Sequence, residues 1–165
     1  LRAPRRGPAT QATERGLTEG ERALGARVFG GAVALDRVTI RRRAWAFFQP
    51  RGVTITPSGH LYFRPGSPNY AEDFASADRG VQGHFIHELT HVWQHQAGLF
   101  LPLARLPGAR YAYRLRPGRG FHDYGLEQQA EIVRHAFLQR DFGLRIDGWP
   151  SLSDLAPLLP FGRWS

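Results

Sequence analysis

The sequence predicts an α+β domain: a small antiparallel sheet beside one long helix, with a second long helix facing that one across a cleft. Three observations lead there. The chain has 165 residues, a length suited to a single hydrophobic core. Short β-branched and aromatic runs separated by turn residues occupy positions 38–63, and two later stretches carry apolar residues at helical spacing, each followed by a glycine.

In chain order, residues 1–16 combine Pro4, Gly7, Pro8 and several arginines with almost no bulky apolar residue, the composition of a tail or linker. Residues 17–165 are therefore expected to form one domain. Thr18 and Glu21 read as a capping box opening a helix that carries Leu24, Val28 and Phe29 and stops at Gly30-Gly31. The runs Val38–Ile40, Ala44–Phe48, Val53–Thr56 and Leu61–Phe63 are the expected strands, with Pro57-Ser58-Gly59 as a turn. Residues 64–80 read as loop. From Val81 to Ala97, Phe85, Ile86, Leu89, Val92 and Trp93 fall at helical spacing before Gly98. After a Pro/Gly-punctuated stretch containing the strand-like Tyr111-Ala112-Tyr113, a second helix is expected over about Tyr124–Asp141. Its stripe is Leu126, Ala130, Val133 and Phe137, and Gly143 ends it. Ser151 or Ser153 can cap one short helix before Pro157.

Composition excludes several classes of function. With 42% apolar residues the chain is too apolar for disorder, yet it has no apolar run long enough to span a bilayer. All 22 basic residues are arginine, and against 14 acidic ones they give a formal charge of +8. Such a balance favours acidic partners, but it sets association rather than chemistry. The absence of cysteine removes disulfide frameworks, thiol nucleophiles and thiolate metal sites, leaving nitrogen and oxygen as metal ligands. Without methionine, Leu1 is not a translational start, so the chain is expected to be part of a longer polypeptide; its Arg/Pro-rich opening lacks the apolar core of a signal peptide. Arg41-Arg42-Arg43 reads as a solvated edge that discourages sheet pairing, and nucleic-acid binding is not expected.

The chemistry lies in the first long helix, in the HExxH motif His87-Glu88-Leu89-Thr90-His91. Residues i and i+4 project from one helical face, so both imidazoles can close on one ion at the ~2.0–2.1 Å of a Zn–N bond. Glu88 points to the flank of that face, where a carboxylate can hydrogen-bond a water instead of binding the metal. A third ligand is required. Gln94 and Ala97 stand where a metzincin would carry glycine and histidine, which excludes that class. The second helix offers Glu127 and Glu131 at i and i+4 beside its apolar stripe. The natural division makes Glu127 the ligand, with Glu131 either supporting the site from behind or ion-paired at the surface. His84, His95 and His135 extend the same faces but are expected not to be ligands, because a tetrahedral ion must keep a position for water. Tyr124, His122 and Tyr113 are candidates to stabilise an oxyanion, and Tyr111 lies in the same stretch.

Five segments, LTEGERALGARVFGGAVALDRVTI, TPSGHLYF, FIHELTHVWQHQ, YAYRL and DYGLEQQAEIV, give the chain a resemblance from about Leu17 to Phe142. It resembles the gluzincin-like zinc metallopeptidase domains attached to Rhs and VgrG proteins of type VI secretion systems, the Vgr-related or Rhs-associated effectors. Gly125 departs from the asparagine expected before the ligand segment. The resemblance implies a zincin-like fold, a Zn2+ cofactor held by His87, His91 and Glu127, and Glu88 as catalytic base. It further implies a protein or peptide substrate, a secretion-spike or Rhs carrier, a cognate immunity protein, and action in the periplasm of a target bacterium. Two rival readings use the same residues: a catalytically inactive, zinc-stabilised binding module acting through its basic surface, and a zinc amidase acting on cell-wall peptides.

Overall fold

The computed structural model describes residues 13–99 and 111–164 as a mixed α+β domain. Among the described residues the elements run β1 (Glu14–Gly16), α1 (Glu19–Phe29), β2 (Thr39–Arg41), β3 (Leu61–Tyr62), α2 (Arg79–Gln96), α3 (Leu126–Phe142) and α4 (Leu152–Leu155). Short 3-10 turns occupy Leu35–Arg37, Phe74–Ser76, Phe121–Asp123 and Ala156–Leu158.

Helix α1 begins where the capping box places it. The Glu21 amide donates to the Thr18 hydroxyl at 3.0 Å, and the Thr18 amide donates to the Glu21 carboxylate at 2.8 Å. Glu21 is fully buried and has two further partners. Arg15 donates to it through both terminal nitrogens at 2.8 and 2.9 Å, and the Phe74 amide donates at 3.0 Å. One carboxylate thus ties β1, α1 and the turn before α2 together. Glu14–Gly16 falls within the stretch whose composition suggested a tail, but those three residues pair antiparallel with β2.

The sheet differs from the expected antiparallel one. Its order is β1-β2-β3, with β1 antiparallel to β2 but β2 parallel to β3. Val38–Ile40 and Leu61–Phe63 contribute strands as expected. Ala44–Phe48 does not, and Val53–Thr56 contributes only an isolated bridge from Ile55 to Tyr62. A side chain replaces the missing ladder. Buried Gln49 accepts from the Trp45 amide at 2.8 Å and donates to the carbonyls of Val53 and Tyr62 at 2.8 and 3.0 Å. The aromatic run of this loop turns outward, with Phe47 91% exposed. Tyr111–Tyr113 is likewise not a strand.

Helix α2 starts two residues before the expected Val81 because Asp78 caps it, accepting from the amides of Gly80 and Val81. Helix α3 starts two residues after the expected Tyr124, because Phe121–Asp123 forms a 3-10 turn and Tyr124 is extended. It ends at Gly143 with φ 62°, the left-handed geometry of a helix stop. Ser151 caps α4 with Asp154 as its box partner. Phe85, Ile86, Leu89 and Val92 of α2 are wholly buried, as are Ile132, Val133, Ala136 and Phe137 of α3; each larger side chain contributes about 1.5–3 kcal/mol of apolar burial. The two helices lie antiparallel. Near one end, Gly83 of α2 faces Leu138 of α3, where an added Cβ would meet Leu138 carbons at 3.1–3.3 Å. Near the other, Gln94 donates to the Leu126 carbonyl and to Gln129, both at 3.0 Å. Between these two contacts lie the histidines.

Candidate metal centre

His87 and His91 project from adjacent turns of α2 toward α3, and Glu127, in the first turn of α3, reaches back between them. Glu127 Oε2 lies 3.1 Å from His87 Nε2 and 3.2 Å from His91 Nε2, and the two Nε2 atoms are 3.2 Å apart. All three residues are buried.

The partners behind each imidazole decide what this triangle can hold. His87 Nδ1 lies 2.8 Å from Glu131 Oε1, an acceptor, so Nδ1 carries the proton. His91 Nδ1 lies 2.7 Å from Gln94 Oε1, and the Gln94 amide nitrogen is spent on Leu126 and Gln129. His91 Nδ1 therefore also donates. With both Nδ1 positions protonated, each neutral ring turns an Nε2 lone pair toward the Glu127 carboxylate. Three acceptors at this spacing repel unless a cation lies among them. Tetrahedral zinc with ~2.0–2.1 Å bonds has donor atoms roughly 3.3–3.4 Å apart, close to the observed triangle. His87, His91 and Glu127 could thus hold a metal ion.

In the metal-free chain a proton can meet the same demand. Burial by itself would lower the His87 pKa, but hydrogen bonds to Glu127 and Glu131 outweigh it and raise the value to about 9. Burial acts on Glu131 in the raising direction, yet its hydrogen bonds with His135 and His87 hold it well below the usual carboxylate range. Glu131 sits 3.2 Å from His135 Nε2, and His135 Nδ1 lies 2.7 Å from the Tyr113 hydroxyl. Trp149 stacks on the His135 ring at 3.5 Å. Burial raises the pKa of Tyr113, keeping it a neutral phenol.

Glu88 is buried beside the triangle, and its Oε2 accepts from the Thr56 hydroxyl at 2.5 Å. Its other oxygen lies 3.8 Å from His84 Nε2, which also contacts the Thr54 hydroxyl at 2.7 Å. Burial lowers the His84 pKa. These groups open onto a cleft of about 320 Å³ whose walls include Thr54, His87, Glu88, Tyr111, Glu131 and Arg134.

The structure brings together His87, His91, Glu127, Glu88 and Glu131, the residues the spacing singled out. It does not bring the three oxyanion candidates to the triangle. The Tyr113 hydroxyl is engaged with His135, the Tyr124 hydroxyl accepts from the Arg116 amide at 3.2 Å, and His122 is exposed with its ring against Trp93. Tyr111 is nearer, its ring stacked on His87 at a centroid distance of 6.1 Å. Sequence reasoning missed the parts played by Gln94 and Thr56. Gln94 carries a signal, since i+3 from His91 is a neighbouring position on the helix. Thr56 carries none, because it meets Glu88 only through the fold.

No protein-family model matches the chain. It is 41% identical over 146 residues to the type VI secretion system spike protein VgrG2b of Pseudomonas aeruginosa PAO1, a match covering 83% of this chain and 14% of that protein's length. The solved effector domain of Pseudomonas aeruginosa VgrG2b matches with a TM-score of 0.73 and 38% identity, over 83% of this chain and 80% of that one. Among the described residues, no helix is long and apolar enough to cross a membrane.

Proposed function

This chain belongs to the family of the VgrG2b effector domain, and from that premise we propose that it is a zinc-dependent metallopeptidase acting as an antibacterial type VI secretion effector. The observation that carries the reading is the convergence of two imidazole lone pairs and one carboxylate at 3.1–3.2 Å, with a second carboxylate in the same cleft. His87, His91 and Glu127 would hold the ion. A zinc ion held there would supply Lewis acidity, enough to polarise a carbonyl and acidify water.

The remaining steps belong to the chain's own groups. Glu88 is the general base: its carboxylate takes a proton from the attacking water and then delivers it to the departing amine as the peptide C–N bond breaks. The Thr56 hydroxyl keeps that carboxylate in one orientation. Glu131 and Gln94 fix the tautomers of His87 and His91, so that both lone pairs stay directed inward. Tyr113 acts behind Glu131, through His135.

In this reading a spike protein carries the domain, a cognate immunity protein protects the producing cell, and the site of action is the periplasm of the target. The VgrG2b spike protein supports the first element through kinship. The test pairs metal analysis with localised expression. Glu88→Gln is expected to retain one zinc per chain and lose proteolysis, and His87→Ala to lose the zinc. Toxicity is expected only on periplasmic expression, and only with Glu88 intact. Proteolysis by Glu88→Gln would overturn the mechanism, and toxicity independent of Glu88 would favour the binding-module reading.

A further inference from the structure

Arg134 lies on α3 one turn beyond Glu131 and forms part of the cleft wall beside His87 and Glu88. Its side chain is 34% exposed. A guanidinium offers five N–H donors in a fixed planar fork. Here one nitrogen, Nη1, reaches the two Glu131 oxygens at 3.2 and 3.3 Å. These contacts are long beside the ~2.7–2.9 Å typical of charge-assisted pairs. Glu131 has other partners as well, since His87 reaches it at 2.8 Å and His135 at 3.2 Å.

The second terminal nitrogen, Nη2, makes no hydrogen bond among the described residues, whereas Nε is closed to solvent. Among the described residues lining the cleft, Arg134 is the one permanent cation. Its Nη2 can donate to a carboxylate oxygen while Nη1 stays on Glu131.

We infer that Arg134 is a carboxylate-binding subsite: a substrate carboxylate pairs with Nη2 while the neighbouring peptide bond lies against the His87–Glu88 side of the cleft. The inference rests on the peptidase reading above and names its substrate class, a peptide with a carboxylate close to the cleaved bond. That carboxylate could be a free C-terminus or an acidic side chain, and the two sources are separable by experiment.

The experiment uses zinc-loaded Glu88→Gln protein, so that peptides bind without turnover, and reads affinity by fluorescence anisotropy. Labelled peptides are compared in pairs: free C-terminus against C-terminal amide, and Asp or Glu against Asn or Gln. The carboxylate member of at least one pair is expected to bind about 10–100-fold tighter, the effect of one charge-assisted hydrogen-bonded pair. Adding Arg134→Gln should erase that ratio, and Arg134→Lys should restore only part of it. Zinc content and thermal midpoint, measured on each variant, separate loss of the subsite from loss of fold. Equal affinities within both pairs, no binding of any peptide, or a ratio that survives Arg134→Gln in a folded, zinc-loaded protein would overturn the subsite. Should the ratio depend on Arg134 while unmodified protein cleaves nothing, the subsite stands and the peptidase reading falls. Cleavage with no dependence on a carboxylate does the opposite, removing the subsite and leaving the peptidase in place.

Discussion

Replacing Glu131 tests how far the metal centre depends on what lies behind its ligands. His87 Nδ1 donates to Glu131 at 2.8 Å, a distance typical of a charge-assisted bond, and the pair is almost dry. Such a bond is worth about 1.5–3 kcal/mol, roughly twice a neutral one. Glu131→Gln keeps an acceptor oxygen but removes the charge, so about half of that value is lost. Zinc affinity should fall roughly 3–10-fold. Glu131→Ala removes the acceptor altogether and frees the His87 ring to rotate, and affinity should fall about 10–100-fold. Competition against a chromogenic chelator at pH 7.5 reads both constants, and circular dichroism of the metal-free variants checks that the helices persist. Equal losses for Gln and Ala, or no loss for either in folded protein, would refute the reasoning that Glu131 acts by orienting and charging His87.

Two other predictions concern stability. Glu21→Gln leaves Arg15 without its buried anion and weakens two backbone contacts, so unfolding should become easier by about 3–5 kcal/mol in chemical denaturation, with zinc stoichiometry unchanged. Metal-free protein should lose thermal stability as pH rises: the His87 pKa is raised from 6.5 to about 9, so its contribution is full below 6.5 and disappears as pH climbs through 9. Zinc-loaded protein should lack that slope, because metal binding requires the neutral ring. Melting curves with EDTA and with zinc across pH 6–9 check both expectations.

Local signals were the ones readable from the sequence. The Thr18/Glu21 box, the Gly30 and Gly143 stops and the HExxH spacing all act within one or two helical turns, and all appear where the pattern places them. Glu127 stood out as a candidate for a chemical reason, since two histidines without cysteine leave only a further histidine or a carboxylate as third donor. The sheet was much less so. Strands of two or three residues are too short to show alternation, and Gln49 satisfies backbone groups that would otherwise demand another strand. Glu14–Gly16 was hidden because its attachment runs through Arg15 to a carboxylate that also caps a helix. Thr56 and Arg134 gain their positions only from the packing of α2 against the sheet segment and α3.

The glycine at 83 links two requirements of different stringency. Hydrophobic packing yields by a few tenths of an ångström at small cost, whereas metal–donor distances hold to about 0.2 Å. Gly83 stands one turn before His87, and a Cβ there would meet Leu138 carbons at 3.1–3.3 Å, so the leucine would have to give by a few tenths of an ångström. Anyone re-engineering the apolar seam of this domain would, in the same stroke, be moving His87 and His91 against Glu127.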